Sequence, residues 1–137
     1  MANARKIKSF VLDTNTWIAI FINIETDWLQ RYVIKNNIEI FIDSNLLIEL
    51  ERVLEYHKIK RLLPYTTDFY TNFIQSITTH IIAKQFYIQS PDPEDNYLYD
   101  IALHTSSKLL VTGEKVLLNW TESPVETISL SKFKKLF

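Results

Sequence analysis

The sequence predicts an α/β fold, a mostly parallel sheet of about five strands covered by helices on both faces. Three observations carry that reading. Short runs of β-branched and aliphatic residues alternate along the chain with longer stretches of helical periodicity, the pattern of a parallel sheet. Two of the runs, Phe10-Val11-Leu12 and Leu109-Leu110-Val111, are continuously apolar, as strands buried on both faces are. The 137 residues, 47% hydrophobic and 23% charged, suffice for one domain with a sizeable core.

Residues 7–12 form the first strand. Asp13 stands where it ends, and Thr14-Asn15-Thr16 turns the chain into a helix over 14–22. A second helix over 28–35 sets Trp28, Tyr32 and Val33 near one face. Asn36-Asn37 is a turn, and 38–42 a second strand. Asp43 or Ser44 caps the next helix, which runs to about residue 57. Its Leu46, Leu47, Leu50, Val53 and Leu54 make one apolar arc. Glu49 lies at the rim of that arc, about 40° from Val53. Residues 58–64 are a basic connection, and a helix over 67–79 carries Phe69, Tyr70, Phe73, Ile74 and Ile77. The stretch 81–88 is rich in β-formers, and a short third strand is expected at 86–88. Asp92 is an N-cap with Pro93 in the first helical position, where its missing N–H costs nothing. That helix continues to about residue 105. Residues 108–112 are a buried strand, and Gly113-Glu114-Lys115 leads into a short helix through Leu118. Residues 125–128 form the last strand, and 129–136 a short basic helix.

Gly113 is the only glycine, so tight turns fall to Asn, Asp, Ser and Pro, and its own position marks a backbone site of interest. The chain has no Cys, which excludes disulfides and Cys-ligated zinc and fits a reducing compartment, the cytoplasm. Residues 1–8 lack the apolar run of a signal peptide. No apolar run approaches the roughly 18–20 residues of a membrane span. The net charge of -1 is low for a nucleic-acid binder. Its distribution says more. Basic residues gather at Arg5-Lys6-Lys8, at Lys58-Lys60-Arg61 and at Lys132-Lys134-Lys135. Carboxylates in one cleft with such clusters around it would sum to near zero; three solvated segments would do the same.

The carboxyl ends of parallel strands share one edge, where such folds bind ligands. Asp13 and Glu114 follow strands directly, and Glu49 and Asp95 lie within two turns of the start of helices leaving that edge. Each has a structural use of its own. Asp13 can cap a helix, and Asp95 can complete a capping box with Asp92. Glu114 can answer a helix dipole, and Glu49 can pair with Arg52 or Lys60. Together, four like charges at one edge repel unless a cation sits among them. Hard ions such as Mg²⁺ and Mn²⁺ take oxygen ligands of this kind. His57, His80 and His104 show no zinc-binding spacing. There is no Gly-x-Ser-x-Gly elbow, and one glycine cannot build a Gly-rich phosphate loop. Metal-assisted phosphoryl chemistry is what remains.

Four segments in order carry a family resemblance: Val11-Leu12-Asp13-Thr14-Asn15; Ser44-Asn45-Leu46-Leu47-Ile48-Glu49-Leu50 with Val53-Leu54; Asp92-Pro93-Glu94-Asp95-Asn96; and Leu110-Val111-Thr112-Gly113-Glu114 with Leu117-Leu118. From about residue 8 to residue 130 the chain resembles the PIN-domain ribonucleases, in the VapC-like toxin branch of toxin–antitoxin systems. The resemblance implies a three-layer α/β/α sandwich. It implies that Asp13 is the first metal ligand, that Glu49 and Asp95 fill the second and third acidic positions, and that Asn15 and Thr112 steady them. Glu114 falls where the family mostly has Asp, one methylene shorter, and Asp100 matches a supporting acidic position. The implied activity is Mg²⁺- or Mn²⁺-dependent hydrolysis of RNA, with one metal or two left open. The implied partners are a small antitoxin and a second copy of the chain.

Lys115, with Lys58, Lys60 and Arg61, is expected to contact flanking phosphates. Trp17, Phe21 and Trp28 serve the core or a dimer face. The competing reading is the same fold with a weak or inactive site, a module binding RNA or a protein. Glu114 is its best support, and metal-dependent turnover of RNA separates the two. A phosphatase using a covalent aspartate would want Asp-x-Asp after the first strand, where this chain has Asp13-Thr14-Asn15.

Overall fold

The computed structural model describes residues 8–85, 87, 89–107 and 109–137. Strands β1 (Lys8–Leu12), β2 (Ile38–Ile42), β3 (Thr78–His80), β4 (Leu109–Val111) and β5 (Glu126–Ile128) form one sheet in the order β3-β2-β1-β4-β5. Every neighbouring pair is parallel. The chain winds outward from β1 to β3, then crosses back to β4 beside β1. The direction of winding therefore reverses between β1 and β4, and their carboxyl ends flank the crevice where a doubly wound sheet takes its ligand.

The helices are α1 (Thr14–Ile22), α2 (Thr26–Lys35), α3 (Ser44–Leu54), α4 (His57–Lys60), α5 (Thr67–Ile77), α6 (Asn96–His104), α7 (Lys115–Leu118) and α8 (Leu130–Lys134). A single 3₁₀ turn, Pro93–Asp95, leads into α6. Right-handed crossovers put α1 to α5 on one face of the sheet and α6 and α7 on the other, giving three layers. Aromatic contacts follow the same division. Phe21 of α1 packs on Tyr70 and Phe73 of α5, while Tyr99 of α6 meets Trp120, just after α7.

Local chemistry explains the elements nearest the site. The Asp13 carboxylate caps α1, and most of that helix is buried, including Trp17 and Phe21. Trp28 stacks on Tyr32 and meets Phe133 edge-on, so these three aromatics pack within the chain. In α3, Asp43 accepts from the Leu46 amide, and Leu46, Leu50 and Leu54 are buried at four-residue spacing.

Several boundaries differ from the sequence reading. α2 begins at Thr26, two residues early. α3 stops at Leu54, and one helical turn, α4, occupies the start of the expected basic connection. The helix expected over 67–79 ends at Ile77. Thr78 is extended there, and Thr78–His80 pairs with β2, Ile40 opposite Thr78 and Ile42 opposite His80. Two β-branched threonines end the helix, and Thr79 Oγ1 bonds the neighbouring strand through Glu39 Oε2 at 2.8 Å. Of the strand expected at 86–88, Phe86 and Ile88 lie outside the described residues, as do Arg5, Lys6, Ile7 and Lys108. Tyr87 belongs to no strand. Asn37 and Ser106 take the left-handed turn positions at φ 53° and 55°, as a glycine-poor chain requires, but so does Ile24 at φ 55°. Among the described residues no helix is long and apolar enough to cross a membrane.

Candidate active site

The register of β1 against β4 builds the centre of the site. Leu12 lies opposite Val111, so the next residues, Asp13 and Thr112, emerge side by side at the carboxyl edge. The Asp13 amide donates to Val111 O at 2.9 Å, and the Thr112 amide to Ile128 O at 3.0 Å, extending the ladder past the strand ends. Asp13 is 3% exposed. Its Oδ1 accepts from the Thr14 amide at 2.7 Å. Its Oδ2 accepts from Thr112 Oγ1 at 2.8 Å and from Asn15 Nδ2 at 3.3 Å. Asn15 Oδ1 in turn accepts from the Gly113 amide at 2.8 Å. Asn15 and Thr112 thus tie the start of α1 to the turn after β4.

The single glycine lies at that close approach, but the geometry does not demand it. Gly113 has no positive φ. A Cβ built on it would stand 3.4 Å from Asn15 Oδ1, at the tight end of ordinary contact.

The other three carboxylates are felt at Asp13. Burial pushes its carboxyl up to about 6, bonds from Thr112 and Thr14 pull it down, and the charges of Glu114 and Glu49 push it up again. Asp95 is pushed up to about 7, first by burial, then by the charges of Glu114, Asp13 and Asp92, and by a hydrogen bond with Glu114. All four acids picked from the sequence therefore share one field. The structural uses open to two of them are not taken up. The Asp95 side chain makes no capping bond. Among the described residues Glu49 is in no ion pair; Lys60 pairs with Glu55 at 2.9 Å instead. Asp13 does cap α1, through one oxygen, with the other turned to Thr112 and Asn15. Glu114 is exposed at the N-terminus of α7, and its amide donates to Thr112 Oγ1 at 3.1 Å.

This donor set fits a hard divalent cation. It offers carboxylate oxygens, and those of Asp13 and Asp95 hold their protons more tightly than usual, first through burial and then through neighbouring negative charge, a condition a cation relieves. The histidines lie elsewhere: His80 beside Ser44, His57 on α4 and His104 at the end of α6. Among the described residues no three acidic or histidine side chains close tightly enough to ligate one ion directly. Mg²⁺ and Mn²⁺ ordinarily keep several waters and take only one or two carboxylates directly.

Tyr97 was not anticipated. Its hydroxyl donates to Glu49 Oε2, joining α6 to α3 across 48 residues of sequence. Its position two residues after Asp95, in the first turn of α6, was the available signal. Asp100 is buried, and its Oδ1 accepts from the Tyr87 amide at 2.8 Å, so its described bond leads away from the carboxylates. Lys115 is exposed beside Glu114. Lys58, Lys60 and Arg61 are exposed on and after α4, and no described contact joins them to the carboxylates.

Comparison with known proteins brings in the family. The PIN domain model matches residues 9–115, well over half of the chain and a span that includes Asp13, Glu49, Asp95 and Glu114. In structure the chain resembles VapBC2 from Rickettsia felis bound to a DNA fragment from their promoter, with TM-score 0.62 and 16% identity over 88% of this chain and 98% of that one. It also resembles PAE2754 from Pyrobaculum aerophilum, with TM-score 0.59 and 14% identity over 95% and 96%. At such identities the likeness is one of fold. No curated protein matches the chain in sequence.

Proposed function

The chain belongs to the PIN-domain family, and from that premise we propose that it is a metal-dependent endoribonuclease, the VapC-like toxin of a toxin–antitoxin pair acting in the cytoplasm. The observation that carries the reading is the mutual field of Asp13, Asp95, Glu114 and Glu49 at the reversal point of the sheet. Asp13, Asp95, Glu49 and Glu114 would hold Mg²⁺ or Mn²⁺, Glu114 with a reach one methylene longer than Asp. When bound, the ion supplies an acidified water and charge compensation at the phosphate oxygens.

The chain's own residues do the rest. Thr112, Thr14 and Asn15 fix the Asp13 carboxylate before substrate arrives. Tyr97 holds one oxygen of Glu49, leaving the other to take the proton of the attacking water. A water would add in line to the scissile phosphorus as the bond to the leaving ribose oxygen breaks, that oxygen taking a proton from solvent, and Lys115 contacts a flanking phosphate. A small antitoxin and a second copy of the chain would complete the assembly; the antitoxin part draws on the likeness to VapBC2 from Rickettsia felis, whose structure is bound to a DNA fragment from their promoter.

Asp13→Asn should abolish Mg²⁺-dependent cleavage of single-stranded RNA, by about a hundredfold or more, since it removes a ligand charge. Circular dichroism should show the fold retained. Undiminished cleavage would take Asp13 out of the mechanism. The inactive-module reading draws on Glu114, exposed and longer than the family's Asp. RNA binding without turnover in both Mg²⁺ and Mn²⁺ would establish it.

A further inference from the structure

A cleft of about 390 Å³ opens beside the carboxylates, between the starts of α3 and α6, with a lining unlike theirs. It is walled by the carboxamides of Asn45, Gln85 and Asn96 and by Tyr87 and Tyr97, with Pro93, Glu94 and Asp100 completing it; among the described residues no Lys or Arg lines it. Two of these residues reach the acidic site. Asn96 follows Asp95, and the Tyr97 hydroxyl donates to Glu49.

Three of the walls are anchored by neighbouring residues. The Tyr87 ring is backed by Tyr99 and Trp120, at centroid separations of 5.3 and 6.3 Å, and its amide is anchored to Asp100. Asn45 gives its NH₂ to Asp43 Oδ2 at 3.1 Å and keeps its carbonyl. Asn96 gives its carbonyl to the Ser90 amide at 3.0 Å and keeps its NH₂. The cleft thus brings acceptor and donor edges together with two tyrosines. A phosphate finds no cation here. A guanidinium would seek carboxylates, but Asp100 is engaged by Tyr87 and Glu94 is exposed. A flat, neutral heterocycle with its own donors and acceptors matches the carboxamides and tyrosines, and its N–H donors suit the Glu94 and Asp100 carboxylates that also line the cleft.

We propose that this cleft is a base-recognition subsite, receiving one unstacked nucleobase of an RNA strand whose adjacent phosphodiester lies at the carboxylates. The proposal rests on the ribonuclease reading above. It adds a coupling, because Tyr97 lines the cleft and holds Glu49 with the same side chain.

The test compares the full chain with the double variant Asn45→Ala/Gln85→Ala, both at exposed positions, after melting curves show that both fold. Each protein cuts a random-sequence single-stranded RNA in Mg²⁺ and in Mn²⁺, and the product ends are sequenced. The wild type should show a base bias at one position flanking the cut, and the double variant should lose about tenfold of it, two hydrogen bonds' worth. An unbiased wild type, or a bias the variant leaves intact, overturns the subsite while the ribonuclease reading stands. If neither protein cuts, that reading fails, and the subsite is judged by fluorescence anisotropy with labelled hexamers of A, C, G and U in Ca²⁺. An affinity order that the variant flattens supports it, and equal wild-type affinities overturn it. Displacement of RNA by N-acetylarginine amide at lower concentration than by any nucleoside would overturn it in favour of a peptide partner.

Discussion

Thr112 sits between the two halves of the acidic site. Its hydroxyl gives its proton to Asp13 Oδ2 and takes the amide proton of Glu114, so one side chain sets both the charge and the spacing of two carboxylates. Its bond pulls the Asp13 carboxyl down against the push of burial. Thr112→Val keeps the shape and removes both contacts. The variant should be less stable by about 1–3 kcal/mol, the cost of a lost bond to a charged group. The acid limb of its pH–rate profile should move to higher pH, because Asp13 then holds its proton more tightly. Denaturant melts and rate profiles read the two effects separately, and an acid limb moving to lower pH would contradict the assignment. Tyr97→Phe leaves the ring and deletes the donor to Glu49. Titration calorimetry should show Mn²⁺ affinity falling about tenfold, as when the partner of a metal-ligating carboxylate is removed. Unchanged affinity would make the bond one of packing between helices only.

The junction of α1 and α2 is the place where local sequence and backbone disagree. Ile24 follows the end of α1 at φ 55°, where helices usually place Gly or Asn, and its side chain is 68% exposed. The Ile24 amide bonds Phe21 O and the Glu25 amide bonds Ile20 O, so the turn is held by backbone rather than by its side chain. A β-branched residue there costs about 1–2 kcal/mol relative to one that tolerates the left-handed region. Ile24→Asn should therefore raise the melting temperature by about 2–6 °C, read by calorimetry. A lowered one would mean that the exposed isoleucine packs on something. Elements with a local signal were legible: α1 matched to the residue because Asp13 caps it and its apolar run ends with it. β3 was not. It is three residues long with its side chains largely exposed, and its identity comes from pairing with β2 some forty residues away. Asp13, Asp95 and Glu114 stand at element boundaries and Glu49 within two turns of a helix start, so the sequence could place all four near one edge of the sheet. The bond from Tyr97 to Glu49 was not legible, because it spans two helices and only the folded chain brings them together.

At the scale of the whole molecule, the strand order crowds negative charge onto one edge, and the fold is destabilised wherever that charge is uncompensated. The sign follows from the direction of the shifts. Asp13 ordinarily releases its proton near 3.8 and does so at about 6 in the folded chain. Asp95 does so at about 7. Each folded-state value is raised, so each group's contribution to stability is fully present below about pH 4 and lost as pH rises through 6 and 7. For buried Asp13, acidifying from pH 7 to pH 5 should return about 1.4 kcal/mol. Asp95 acts in the same direction with a smaller effect, being partly exposed to screening solvent. The metal-free protein should therefore melt at a higher temperature at pH 5 than at pH 7.5, the reverse of a protein held together by charged carboxylates. Millimolar Mg²⁺ or Mn²⁺ should remove the difference by stabilising the pH 7.5 sample, by about 2.7 kcal/mol at a hundredfold excess over its dissociation constant. It should do little at pH 5, where protons already occupy the site. Asp13→Asn should weaken both dependences together, leaving the smaller part due to Asp95, since it removes one charge that opposes the fold and one ligand that a cation would use. Melting curves on a grid of pH and metal concentration decide the matter. A metal-free chain that loses stability steadily from pH 7.5 to pH 5 would show that these carboxylates do not repel one another, and the case for a cation among them would go with it.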